Sequence, residues 1–179
     1  MKITILCWKR TTLPEYCTLA EKLCKKLSEN GHTIITGAGT GIMESSNKGA
    51  FNINKNNSVG ITLKILDKEH SKNNYILKEN LKFVDTFHLR KKMLMHDTDI
   101  NIFFPGGMGT LDEFTDLLNL YKTNFIKEKK PIYLVGEKYW NSLIEWFGKN
   151  KIRFPIHLIT LISDDIDLIY NNIHKNNKI

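Results

Sequence analysis

Short apolar runs alternate with longer amphipathic stretches along the whole chain, the pattern of βαβ units built around a parallel sheet. Residues 3–7 read as a first strand, and residues 14–30 as a helix with Pro14 in its first turn and Gly31 as its stop. Within that helix Leu19, Ala20, Leu23 and Leu27 recur at helical spacing. Residues 33–36, 59–63, 82–84, 100–104, 131–135 and 158–162 read as further strands. The run at 100–104 is almost wholly apolar, as a central parallel strand covered on both faces requires. Helices are expected at 42–51, 86–97, from about Thr110 to Thr123, at 139–147 and at 164–174. Residues 67–80 are polar and irregular and read as a mobile loop. The alternation predicts a Rossmann-like doubly wound α/β fold, a parallel sheet with helices on both faces in three layers.

Right-handed crossovers put the loops that follow the strands on one edge of the sheet, where open α/β folds bind ligands. Two glycine-rich segments fall there. The first, Gly37-Ala38-Gly39-Thr40-Gly41-Ile42-Met43-Glu44, is GxGxG rather than GxGxxG. It follows the second strand, and no acid marks the end of the next one at Thr62, so a dinucleotide-binding dehydrogenase is not indicated. A tight turn needing positive φ and a close approach of backbone to a nucleotide both explain its glycines.

The second segment, Pro105-Gly106-Gly107-Met108-Gly109-Thr110, opens a helix. Its glycines let backbone N–H groups converge at a helix N-terminus, a ready cradle for phosphate. Thr110 could cap that helix or donate its hydroxyl to the anion. No lysine follows the last glycine, so this is not a Walker loop. Asp112 and Glu113 lie in what reads as the first helical turn, where acids also stabilise the helix dipole. They point about 100° apart, so at most one faces the loop. Arg90 shares a helix face with Phe87, Met93 and Leu94, a position that fits either a snorkelling arginine or one paired with an anion.

The chain has 179 residues, enough for one domain over 1–179 that buries about 70% of its unfolded surface without a disulfide or metal. Three cysteines, Cys7, Cys17 and Cys24, form no CxxC pair and leave an odd thiol, which points to a reducing compartment and away from zinc. No segment is long and apolar enough for a membrane span or a signal peptide, so a cytoplasmic protein is expected. The formal charge is +7, but lysines and asparagines are scattered rather than massed, with no basic stripe interleaved with aromatics. Nucleic acid is therefore not an expected partner, while a positive field suits a small phosphorylated one.

Arg90-Lys91, the run Phe103-Phe104-Pro105-Gly106-Gly107-Met108-Gly109-Thr110-Leu111-Asp112-Glu113, and Gly39-Thr40-Gly41-Ile42-Met43-Glu44 closely resemble the LOG ("lonely guy") family. These are cytokinin riboside 5′-monophosphate phosphoribohydrolases that often carry the label lysine decarboxylase. The hallmark, an Arg-Lys pair followed by PGGxGTxxE, is complete, and the similarity runs over about residues 6–147. The resemblance implies hydrolysis of an N6-modified adenine nucleoside 5′-monophosphate to free base and ribose 5-phosphate, without metal or other cofactor. It implies catalysis by Arg90 and Glu113, and phosphate or substrate contact by Gly106, Gly107, Met108, Gly109, Thr110, Gly39, Gly41, Glu44 and Lys91. It further implies a homodimer or larger even assembly with sites near the subunit contact. Phe114, Leu117, Leu118 and Tyr121, at i, i+3, i+4 and i+7, form an apolar stripe that reads as part of such an interface, together with the helix of Arg90.

Two departures bear on substrate choice. Cys7-Trp8-Lys9-Arg10 stands where many members have a Gly-Ser turn, and His88-Leu89 precedes the arginine in place of the common Met-His or Phe-Phe. The alternatives are a general AMP-type nucleosidase and a non-catalytic nucleotide or cofactor carrier on the same fold. Decarboxylation would need a lysine in Schiff-base linkage to pyridoxal phosphate, and only the label suggests it.

Overall fold

A computed structural model describes residues 1–9, 14–66 and 73–175. Seven strands, β1 (Lys2–Leu6), β2 (Thr33–Thr36), β3 (Ser58–Leu63), β4 (Leu81–Val84), β5 (Ile100–Phe103), β6 (Ile132–Leu134) and β7 (Leu161–Ile162), form one sheet. Their order is β4-β3-β2-β1-β5-β6-β7 and every pairing is parallel. Among the described residues six helices accompany them, the last following β7: α1 (Pro14–Glu29), α2 (Ile42–Phe51), α3 (Phe87–Lys91), α4 (Met108–Lys122), α5 (Glu137–Lys149) and α6 (Ile166–Lys175).

Side chains leave a strand on alternate faces, and β1 shows the consequence. Ile3 and Ile5 enter one core with Leu23 and Leu27 of α1, Ile42 of α2 and Ile169 of α6. Leu6 enters the other with Leu94, with Phe114 and Leu117 of α4, and with Trp140 of α5. This is the expected three-layered Rossmann-like α/β fold.

Three local expectations change. The helix expected from Thr110 begins two residues earlier, at Met108, because Gly107 in extended conformation takes the N-cap position without a capping side chain. The helix expected over 86–97 is α-helical only to Lys91 and continues as a π-helical turn, Lys92–His96, closed by the Asp97 N–H donating to the Lys92 carbonyl. The last strand shortens to Leu161–Ile162 behind a 3-10 turn at Ile156–Leu158. Of the loop expected over 67–80, residues 67–72 lie outside the described residues. Its later part is tied down: buried Asn73 donates to the Gly39 carbonyl and to Asn47 Oδ1, each at 3.1 Å.

β1 leads by α1 to β2 on one side, and β5 leads by α4 to β6 on the other. The chain thus diverges beyond the adjacent ends of β1 and β5, which opens a crevice at that point of the sheet.

Candidate active site

The crevice is a cleft of about 280 Å³. One wall is the chain leaving β1 (Cys7, Trp8, Lys9), and the other is Gly107, Met108, Gly109 and Thr110 at the start of α4. Gly37, Met43, Arg90 and Glu113 also line it, over an apolar floor of Ile5, Leu6 and Leu94. No side chain caps α4, so its first N–H groups and the positive end of its dipole face the cleft. Gly106 lies packed beneath: a side chain there would collide with Thr110, and its carbonyl accepts the Tyr139 hydroxyl at 2.7 Å. Of the two roles open to Thr110 it does not take that of the cap, since it lies inside the first turn and is buried against Gly106.

Arg90 is locked in place by all three arms of its guanidinium. Nε donates to the Ile61 carbonyl at 3.2 Å, Nη2 to the Gly37 carbonyl at 3.4 Å, and Nη1 to Glu113 Oε1 at 3.3 Å. Gly37 is glycine for a physical reason: a Cβ there would occupy the space of Arg90 Nη2. The pair is well shielded, with side-chain exposures of 17% for Arg90 and 12% for Glu113.

A guanidinium beside a carboxyl ordinarily holds it ionised. The guanidinium does pull in that direction, but burial outweighs it, and the Glu113 pKa is pushed up to about 7. Its carboxyl is therefore poised to exchange a proton near neutral pH. Burial also raises the neighbouring Cys7 thiol, with a further push from Glu113, so Cys7 is a neutral wall rather than a nucleophile. Asp112, one residue before Glu113, points away from the cleft as expected and pairs with Lys91 Nζ at 2.8 Å.

The structure brings together Arg90, Glu113, Gly107, Met108, Gly109 and Thr110, with Gly106 directly beneath them. It does not bring Lys91, which bridges to Asp112 and Asp116 on the outer side of α4. Helical rotation puts consecutive residues about 100° apart, so Arg90 and Lys91 could not both face the cleft. Glu44, in the first turn of α2, does not line the cleft either. Gly41 serves the tight turn before α2, with φ 71°, and Gly39 packs against Met43. From that first glycine segment the cleft receives Gly37 and Met43, neither singled out in the sequence. Trp8 and Lys9 also line it, and only the replaced Gly-Ser turn hinted at them. Arg10 lies outside the described residues. Among the described residues no group of three or more His, Cys, Asp or Glu could hold a metal ion.

Over residues 43–155, more than half of the chain, the sequence matches a family described as "possible lysine decarboxylase". The chain belongs to this family. It is the LOG family, whose older decarboxylase label the description preserves. An uncharacterized protein from Archaeoglobus fulgidus is 27% identical over 124 residues, which cover 69% of this chain and 78% of that one. Among solved structures, a molybdenum cofactor binding protein from Rippkaea orientalis superposes with a TM-score of 0.68 at 18% identity, covering 98% of this chain and 96% of that one. The molybdenum cofactor carrier protein of Chlamydomonas reinhardtii gives 0.65 at 16% identity, covering 97% and 96%. At these identities the likeness is one of fold, and within the LOG family the side chains of the cleft must carry any argument about chemistry.

Proposed function

We propose that the protein hydrolyses the N-glycosidic bond of a nucleoside 5′-monophosphate to free base and ribose 5-phosphate, with an N6-modified adenine, or plain adenine, as the base. The observation that carries this reading is a shielded carboxyl, Glu113, held by Arg90 in the same cleft as the uncapped N-terminus of α4. The N-terminus binds the 5′-phosphate through backbone N–H groups, and that remote binding energy places the ribose against Glu113. As the C1′–N bond breaks, its electron pair leaves with the base and the sugar gains oxocarbenium character, which an ionised Glu113 stabilises. Water adds to C1′, and its proton passes by way of Glu113 to the departing base, so the carboxyl returns to its starting state. Incubation with a panel of nucleoside monophosphates, with released base followed by chromatography, tests the reading. No release from any of them would overturn it.

The phosphate is expected to be essential. Adenosine-type nucleosides should show a kcat/KM lower than their 5′-monophosphates by at least about 10²-fold, because they forgo the helix N-terminus. Comparable values for the two would remove the phosphate cradle from the mechanism.

A second reading, a cofactor carrier without turnover, is favoured by the fold shared with the molybdenum cofactor proteins. A carrier has no use for the Arg90–Glu113 pair. Stoichiometric retention of molybdenum cofactor with no base release would decide for it.

The protein is further proposed to be a homodimer or larger even assembly. The α4 stripe does not support this as expected: Phe114, Leu117, Leu118 and Tyr121 are all buried in the core of their own chain, Phe114 against Trp140 and Phe154. The support comes from α3, where Phe87 is 64% and Leu89 40% exposed, and from neighbouring Phe83 on β4. Light scattering on a sizing column is expected to give a multiple of the 20.8 kDa chain mass. A monomer with full activity would refute the assembly. Among the described residues, no helix is long and apolar enough to cross a membrane.

A further inference from the structure

Trp8 stands at the mouth of the cleft, and its place is fixed by contacts to both glycine segments. Its backbone N–H donates to the Pro105 carbonyl at 3.4 Å, and the next carbonyl, that of Lys9, accepts the Thr40 hydroxyl at 2.8 Å. The indole then lies across Gly107, the N-cap residue of α4. Of its atoms, Nε1 comes nearest, 3.5 Å from where a Cβ on Gly107 would sit, with Cε2 at 3.7 Å and Cδ1 at 3.9 Å. The polar edge of the ring, rather than its benzene edge, is thus turned to the loop. That indole N–H has no hydrogen-bond partner among the described residues. A half-buried indole donor usually finds an acceptor, and none among the described residues meets it. What it shares with the unpaired N–H groups of α4 is the space in front of Gly107.

We propose that Trp8 is a phosphate-binding residue of the cleft, its indole N–H adding one fixed side-chain donor to the backbone donors of the α4 N-terminus. This rests on the reading of the cleft as a site for a phosphorylated sugar. It assigns Trp8, in place of the flexible Gly-Ser turn, a rigid contribution to recognising the 5′-phosphate. A ring also excludes water from that end of the cleft and so strengthens the backbone contacts.

Titration calorimetry with ribose 5-phosphate and with inorganic phosphate tests the proposal without any need for turnover. Trp8→Phe keeps an aromatic ring and removes the donor, whereas Trp8→His keeps a ring N–H. W8F is expected to bind ribose 5-phosphate about ten- to a hundredfold more weakly than wild type, as suits a lost hydrogen bond to a charged group. W8H should recover part of that loss. If W8F fails to fold by circular dichroism, W8H is compared with Trp8→Leu. Affinity within about twofold of wild type in the variant lacking the donor overturns the proposal, as does an equal loss in both members of a pair. Wild-type protein that binds neither probe overturns the phosphate cradle and Trp8 with it. Trp8-dependent binding with no base released from any nucleoside monophosphate leaves Trp8 standing and removes the hydrolase reading alone.

Discussion

Glu113→Gln is expected to lower turnover by about 10² to 10³ in a protein that remains folded. The amide fills the same volume beside Arg90 but can neither stabilise a developing cation nor carry a proton. Asp112→Asn should stay within a few-fold of wild type, because that carboxylate pairs with Lys91 outside the cleft. Hydrolysis by E113Q at near wild-type rate would show that the carboxyl is not catalytic. The same substitution has a second, opposite consequence for stability. Glu113 titrates near 7 in the folded protein against an ordinary 4.5, chiefly because it is buried. Between those values the folded protein holds a proton that the unfolded chain has released, so stability declines as pH rises through that interval and stays lower above it. Gln does not titrate. E113Q should therefore gain on wild type with rising pH, by roughly 2–3 kcal/mol between pH 4 and pH 8. Denaturant unfolding of both proteins at the two pH values measures the difference, and an equal offset at both would remove burial as the cause.

Arg90→Ala is expected to damage both fold and activity. It leaves Glu113 buried without its counter-charge and the carbonyls of Ile61 and Gly37 without their donor. Removing one partner of a shielded ion pair costs about 3–5 kcal/mol, and turnover should fall by at least about 10²-fold. Arg90→Lys should recover little, since one ammonium on a flexible stem cannot meet three acceptors that a planar fork reaches together. Without the guanidinium the Glu113 pKa climbs further, so any residual activity should peak at higher pH than in wild type. Thermal melting with a pH–rate profile checks both effects. Wild-type stability together with an unmoved profile would mean that the Arg90–Glu113 contact does not operate in solution.

The strands were legible because buried parallel strands are apolar on both faces, and 100–104 shows this plainly. Their order was not, because nothing local in β1 says that it pairs with β2 on one side and β5 on the other. The tight loop before α4 was legible from its glycines. The start of α4 was not, because Gly107 fills the N-cap position that Ser, Thr, Asp or Asn usually marks. Adjacency misled at Lys91: a motif read as a string joins it to Arg90, while a helix turns the two about 100° apart. The α4 stripe misled for a different reason. Trp140 and Phe154, which pack on its Phe114, come from chain segments that periodicity within one helix cannot see. Trp8 was hinted at only by the missing Gly-Ser turn, since one aromatic residue after a strand is otherwise ordinary.

The π-helical turn at Lys92–His96 bears on how this site can and cannot vary. It holds one residue more than an α-helical turn, and the buried side chains of Thr98 and Asn101 donate to the Leu94 and Met95 carbonyls within it. Deleting the exposed Lys92 would restore an ordinary helical ladder and turn everything before it by about 100° relative to Leu94 and Met95. Arg90 would then sweep away from Glu113 although no functional or core side chain had been replaced. Chain length between Arg90 and β5 is thus as strict a requirement as the identity of the arginine. Homologues that keep every hallmark residue but differ by one in that interval are expected to have lost the ion pair.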